Sequence, residues 1–225
     1  MAGVGAGAGA AGARGLMLEG MRSAHVVLAD VIGRLDDAAV HQPSSLDHWS
    51  VGHVLTHVAR NAEALTAVVQ GAAVGEVRAM YPGGATQRNG DIEAGASRSA
   101  AAIIADVRAS SSVLEAALAG LDDAGWAGHG TAPFGALPVD DVPHRRWREV
   151  EVHLSDLGVG PTWRDWSSAF VRSELRLMTM LWNSRLPMGM TGLPEAAFSV
   201  DDHHRLAWLL GRATIDGLEP AGLMP

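Results

Sequence analysis

The sequence predicts an α+β fold that is mostly α: an N-terminal four-helix bundle followed by a small α/β domain. Apolar residues recur at helical spacing in four separate stretches before residue 158. Polar, proline- or glycine-containing breaks part those stretches, as in a bundle whose helices fold back on one another. GVGPTW, starting at Gly158, then reads as a linker into shorter and more mixed segments.

Ala24, Val27, Leu28, Val31 and Leu35 define the first helix, and HQPSSLDHW ends it. Ser50 is the N-cap expected for a second helix carrying Val51, Val54, Leu55, Val58 and Leu65. MYPGGATQRNG is read as a turn, because Pro, Gly-Gly and Asn-Gly cluster there. A third helix is expected over residues 91–120, with Ile103, Val107, Leu114 and Leu118 on one side. Gly125, Gly128, Gly130, Pro133 and Gly135 mark a loop. The fourth helix follows, with Asp141 as N-cap, Pro143 in its first turn and Gly158 as its stop. Beyond the linker, residues 166–186 and 203–212 read as helical, and LPMGMTGLPEAAFSV between them has room for one or two short strands. The domains are then a flexible tail over 1–15, the bundle over 16–158 and the small α/β domain over 163–225. Gly7, Gly9 and Gly12 spell a GxGxxG motif, but a dinucleotide loop needs a preceding strand and only six residues stand before Gly7.

Composition narrows the chemistry. With 225 residues, 48% of them hydrophobic, the chain can bury a sizeable core. No run of 18 uncharged apolar residues suggests a membrane span, and the N-terminus lacks the basic-then-apolar order of a signal peptide, so a cytoplasmic protein is expected. The absence of cysteine excludes disulfides, thiolate metal sites and an internal thiol nucleophile. All 17 basic residues are arginine, and the net charge of −8 argues against nucleic acid as partner. An anionic substrate would have to be met by a few placed arginines. A monomer is the default expectation.

One constellation carries chemistry. In RRWREVEVHLSDLG, Glu149 and His153 stand four residues apart, on one helical face beside Val150, Leu154 and Leu157. A bare carboxylate turned into a bundle is costly unless it is paired or coordinated. A metal ion removes that cost, and bundle cores hold Glu/His sites on facing helices. His53 and His57 of the second helix are again i and i+4, and His57, between Val54 and Val58, is the inward member. His57, Glu149 and His153 would make a catalytic zinc set with one position open. In the plainer reading, Glu149 pairs with Arg145 or Arg146 and the histidines are ordinary half-buried side chains. His53, His129, His203 and His204 are given that plainer reading, and Trp49, Trp147 and Trp208 are read as core.

WSVGHVLTHVARNAEAL, MYPGGATQRNGDIEAGASR, RRWREVEVHLSDLG and WLLGR together resemble the mycothiol-dependent maleylpyruvate isomerases, within the DinB-like metal-dependent thiol enzymes. The likeness runs from about Leu18 to Pro225. It implies a four-helix bundle with a small α/β C-terminal domain, and metal ligands at His57, Glu149 and His153. It also implies arginines for the substrate's carboxylates at Arg88 and, on fewer letters, Arg212. Tyr81 is a further candidate to line the pocket. The implied reaction converts maleylpyruvate to fumarylpyruvate in the gentisate route by reversible addition of a thiolate. Its cofactors are a divalent metal, zinc first, and mycothiol as the thiol cosubstrate. Two alternatives use the same metal trio: a mycothiol S-transferase acting on electrophiles, and a non-catalytic metal-binding module.

Overall fold

The structure, a computed structural model, describes residues 4–185 and 192–223, with side chains from residue 12 onward. Its elements in chain order are α1 (Val4–Ile32), α2 (Asp37–Val40), α3 (Val51–Ala73), α4 (Gly84–Ala96), α5 (Ala100–Ala119), α6 (Asp123–Trp126), β1 (His129–Ala132), β2 (Gly135–Pro138), α7 (Val142–Asp156), α8 (Ser168–Ser184) and α9 (Asp202–Leu209). The chain is mostly helical and divides into two compact units, Met1–Gly160 and Pro161–Pro225.

In the first unit α3 is the central helix, packed against α5, α4 and α7, while α1 packs against α7 and α5. Val54, Leu55, Val58, Leu65 and Val68 of α3 meet Ile103, Val107, Leu114 and Leu118 of α5 in the core. Ser50 caps α3 as expected: its hydroxyl accepts from the His53 backbone N–H, and the His53 ring accepts from the Ser50 N–H.

Several expectations are corrected. α1 begins at Val4, so from there the stretch expected as a tail over 1–15 continues the first helix, although its glycines are poor helix formers. On α1 the buried face is Met21, Ala24, His25, Leu28 and Ile32, and Val27 turns outward. The third helix is two helices: Ser99 leaves the helical region at φ −63°, ψ 153° and its hydroxyl accepts from Ala102 N–H, starting α5 afresh. The turn at MYPGGATQRNG is over by Gly84, so Arg88 stands within α4. Asp141 makes no side-chain cap; it ends a 3₁₀ turn over Val139–Asp141, and Pro143 opens α7.

The glycine-rich loop before α7 holds α6 and an antiparallel hairpin, β1 with β2, pairing His129 with Pro138 and Ala132 with Gly135. Thr131 of β1 exchanges backbone hydrogen bonds with Arg78 and Met80, each at 2.9 Å, which fixes the segment leading to Tyr81. In the second unit α8 packs against α9. Of the strands expected over residues 186–200, residues 186–191 lie outside the described residues. Glu195–Phe198 is a 3₁₀ turn opened by Pro194, whose fixed φ of −55° suits that start. Among the described residues no strand occurs in this unit. No described helix is long and apolar enough to cross a membrane.

Candidate metal centre

His57 faces inward from the first turns of α3, and α7 presents Glu149 and His153 one turn apart. His57 Nε2 lies 3.0 Å from Glu149 Oε2 and 3.1 Å from His153 Nε2, and the last two are 3.5 Å apart. Three donor atoms facing one point at these separations come within about 0.3 Å of the corners of a tetrahedron around a zinc-sized ion, for which bonds of about 2.0–2.2 Å give edges of about 3.3–3.6 Å. Among the described residues this is the one cluster of its kind. Two imidazoles and a carboxylate are also the right donor types for zinc.

Each donor has its own setting. His153 Nδ1 donates to Asp156 Oδ2 at 2.9 Å, which orients the ring with Nε2 toward the cluster. Burial opposes charge on His153, yet the carboxylates of Asp156 and Glu149 outweigh it and raise the ring to about 9. Burial likewise opposes charge on Glu149, but the hydrogen bonds from His153 and His57 hold its carboxyl well below the usual range. Burial lowers the pKa of His57, which is 5% exposed. Its Nδ1 accepts from Arg88 Nη2 at 3.1 Å; since a guanidinium only donates, the proton of neutral His57 sits on Nε2, toward Glu149. Glu149 is therefore partnered by the two histidines. The neighbouring Arg146 is engaged elsewhere in the bundle, and Arg145 stacks over Phe134.

Around the cluster, the Trp49 ring lies 5.6 Å from that of His57, more a wall of the site than core. Tyr81 is within hydrogen-bonding reach of Arg88 and Asn61, and Arg88 stands 5.9 Å from its ring. Tyr81, Gln87, Arg88 and Asp91, with Arg60 and Glu63, line a cavity of about 160 Å³. Arg88 thus touches a cluster histidine and borders a cavity at once.

The remaining candidates are placed as follows. His53 is held by the α3 cap and lies 3.2 Å from Glu93. His203 and His204 reach the backbone carbonyls of Trp166 and Thr214, and His129 is exposed at the start of β1. Arg212 belongs to the second unit, where its Nη1 donates to Leu210 O at the end of α9. The sequence reading missed Asp156, although the i,i+3 spacing that links it to His153 was available. It also missed the burial of Arg146, for which no local signal exists.

The family model for the mycothiol maleylpyruvate isomerase N-terminal domain matches residues 21–158. A crystal structure of the mycothiol-dependent maleylpyruvate isomerase shares the fold, with 23% identity, 88% of each chain covered and a TM-score of 0.77. A crystal structure of a histidine-to-alanine mutant of that isomerase does so equally, with 22% identity and the same coverage and TM-score. At these identities the likeness is one of fold. Among curated proteins no sequence matches. By the matched domain, which spans more than half of its length, the chain belongs to the family of mycothiol maleylpyruvate isomerase N-terminal domains.

Proposed function

We propose that the protein is a mycothiol-dependent isomerase that converts maleylpyruvate to fumarylpyruvate. The observation that carries this reading is the trio of facing donors, His57, Glu149 and His153, with the Arg88 guanidinium 3.1 Å from the first of them and also bordering a cavity. His57, Glu149 and His153 would hold the metal, and a zinc ion there would keep a thiol deprotonated at neutral pH, where a free thiol with pKa near 8.5 is mostly protonated. Since the chain has no cysteine, the thiol comes as a cosubstrate, and mycothiol is what the family's name supplies.

The protein's own residues have separate tasks. Asp156 keeps the His153 ring turned with Nε2 toward Glu149. Trp49 packs its ring beside that of His57, forming one wall of the site. Arg88 is placed to hold a carboxylate of the substrate, and its charge favours the enolate that forms when the thiolate adds to the alkene. Addition makes the former double bond single, the bond rotates, and loss of the thiolate restores the alkene in the trans form.

The test is an absorbance assay of maleylpyruvate with zinc-loaded protein, with and without mycothiol, beside His57→Ala and Arg88→Ala. Thiol-dependent conversion that His57→Ala abolishes and Arg88→Ala lowers about 100-fold or more supports the isomerase. Absence of conversion by zinc-loaded protein refutes it. Thiol transfer to a neutral electrophile that survives Arg88→Ala would then identify an S-transferase.

A further inference from the structure

Arg146 is fully buried, at 0% exposure, and its nitrogens reach three other helices of the first unit, α1, α3 and α5. Nε donates to His25 Nε2 on α1 at 3.0 Å, and Nη2 to Ser111 Oγ on α5 at 3.1 Å. Nη1 donates to two acceptors on α3: Val58 O at 2.7 Å and Asn61 Oδ1 at 3.0 Å. Arg146 itself stands on α7. None of these acceptors is a carboxylate: the charges of Glu149 and Glu115 favour the guanidinium only from beyond hydrogen-bond reach, and His25, which it bonds, has its Nδ1 2.5 Å from Glu115 Oε1 on α5. A buried cation hydrogen-bonded only to neutral acceptors is a costly way to hold helices together, since apolar residues of like volume often do it as well or better. Its retention calls for a task that packing alone does not perform.

The positions of the acceptors suggest the task. Val58 is the residue after His57, and Asn61 lies one helical turn beyond His57. Glu149 lies three residues after Arg146 on the same face of α7. The two bonds from Nη1 therefore fix both the rise and the rotation of α3 against α7 at the level where the donors of the two helices meet. Apolar contacts are non-directional and tolerate small slides, whereas a planar fork seated on a backbone carbonyl and an amide does not.

We propose that Arg146 is the positioning residue of the metal centre, setting His57 in register with Glu149 and His153 through its fork on Val58 O and Asn61. This rests on the reading that the trio binds a metal ion. It does not depend on which reaction the bound metal serves.

The test uses metal alone. Zn²⁺ affinity is measured by competition with a chromophoric chelator, and Co²⁺ is added to read coordination from its visible spectrum, with helical content followed by circular dichroism. Arg146→Met, folded, is expected to bind Zn²⁺ about 10–100-fold more weakly and to give an altered Co²⁺ spectrum. Arg146→Lys, which keeps one donor, recovers part of that loss. Asn61→Ala weakens binding, whereas Ser111→Ala, which removes an acceptor on α5 and leaves the Nη1 bonds to α3 in place, lowers thermal stability and leaves affinity unchanged. Wild-type affinity and spectrum in folded Arg146→Met overturn the proposal. If that variant does not fold, wild-type affinity in Asn61→Ala, or equal losses in Asn61→Ala and Ser111→Ala, overturn it. A wild-type protein that binds neither metal removes the metal reading itself, and this proposal with it.

Discussion

The protons of the cluster decide what loading a metal requires. His153 uses both ring nitrogens, Nδ1 toward Asp156 and Nε2 toward Glu149, and its raised pKa of about 9 keeps it protonated at neutral pH. An ion can take Nε2 of His153 only by displacing that proton; neutral His57 instead shifts its Nε2 proton to Nδ1, giving up the bond from Arg88 with no net release, and Glu149 is already ionised. Calorimetry of Zn²⁺ binding at pH 7 in buffers of differing ionisation enthalpy should show release of about one proton per ion, fading above pH 9. Heats that do not depend on the buffer would contradict the assignment of charge to His153. All three donors were legible in the sequence because each sits on a helix with a strong apolar stripe, where i,i+4 spacing reports a shared face. Arg146 was not, because its burial depends on where four helices meet, and Arg145 beside it has the same local signature.

Helix contacts set the next level of constraint. Gly20 of α1 lies against the indole of Trp147 of α7, and a Cβ on Gly20 would come within 2.6 Å of its ring atoms. Trp147 is 2% exposed and its Nε1 donates to Glu151 Oε1 at 3.0 Å, so the ring has little room to retreat. Alanine would gain up to about 1 kcal/mol in helix propensity. Overpacking outweighs this, and Gly20→Ala should lose a net of about 1–2 kcal/mol in urea unfolding. A variant as stable as the parent would show that α1 and α7 can part freely. The long periodic helices α3, α5 and α7 were readable for the reason their donors were. The break between α4 and α5 was not, because Ser99 acts through a local hydrogen bond that leaves the apolar spacing of α5 intact. The hairpin is too short to show alternation, and its place is set by backbone bonds between Thr131 and the distant Arg78–Met80 segment.

For the molecule's stability, the buried histidines pull in opposite directions with pH. Burial, with the Arg146 charge beside it, lowers His25 to about 4 against 6.5 in the unfolded chain. Between those values the unfolded state binds more protons, so stability falls as pH drops from 6.5 to 4, by up to about 3 kcal/mol from His25. His153 has the opposite sign: its contribution to the metal-free protein is present below 6.5 and is lost as pH rises through 9. Urea midpoints of the metal-free protein should therefore peak near pH 6.5, and His25→Gln should flatten the acid side. A midpoint unchanged from pH 6.5 to 4.5 would mean that His25 does not fold in its neutral form. The broad architecture was legible from periodicity and breaks, whereas the strands expected near the C-terminus rested on composition alone.

The distance along the chain between the facing donors carries a consequence for folding. His57 and Glu149 are 92 residues apart in sequence, so their meeting closes most of the first unit into a loop. Bringing together ends that far apart is slow and entropically costly, and it comes before any reward from the contact. Before closure, of the three donors only Glu149 and His153 stand together, as an adjacent pair on α7. An ion held by all three donors would thus act as a latch on a finished bundle rather than as a template for it. It would slow unfolding far more than it hastens folding, so the protein's lifetime would track metal supply while its rate of folding would not.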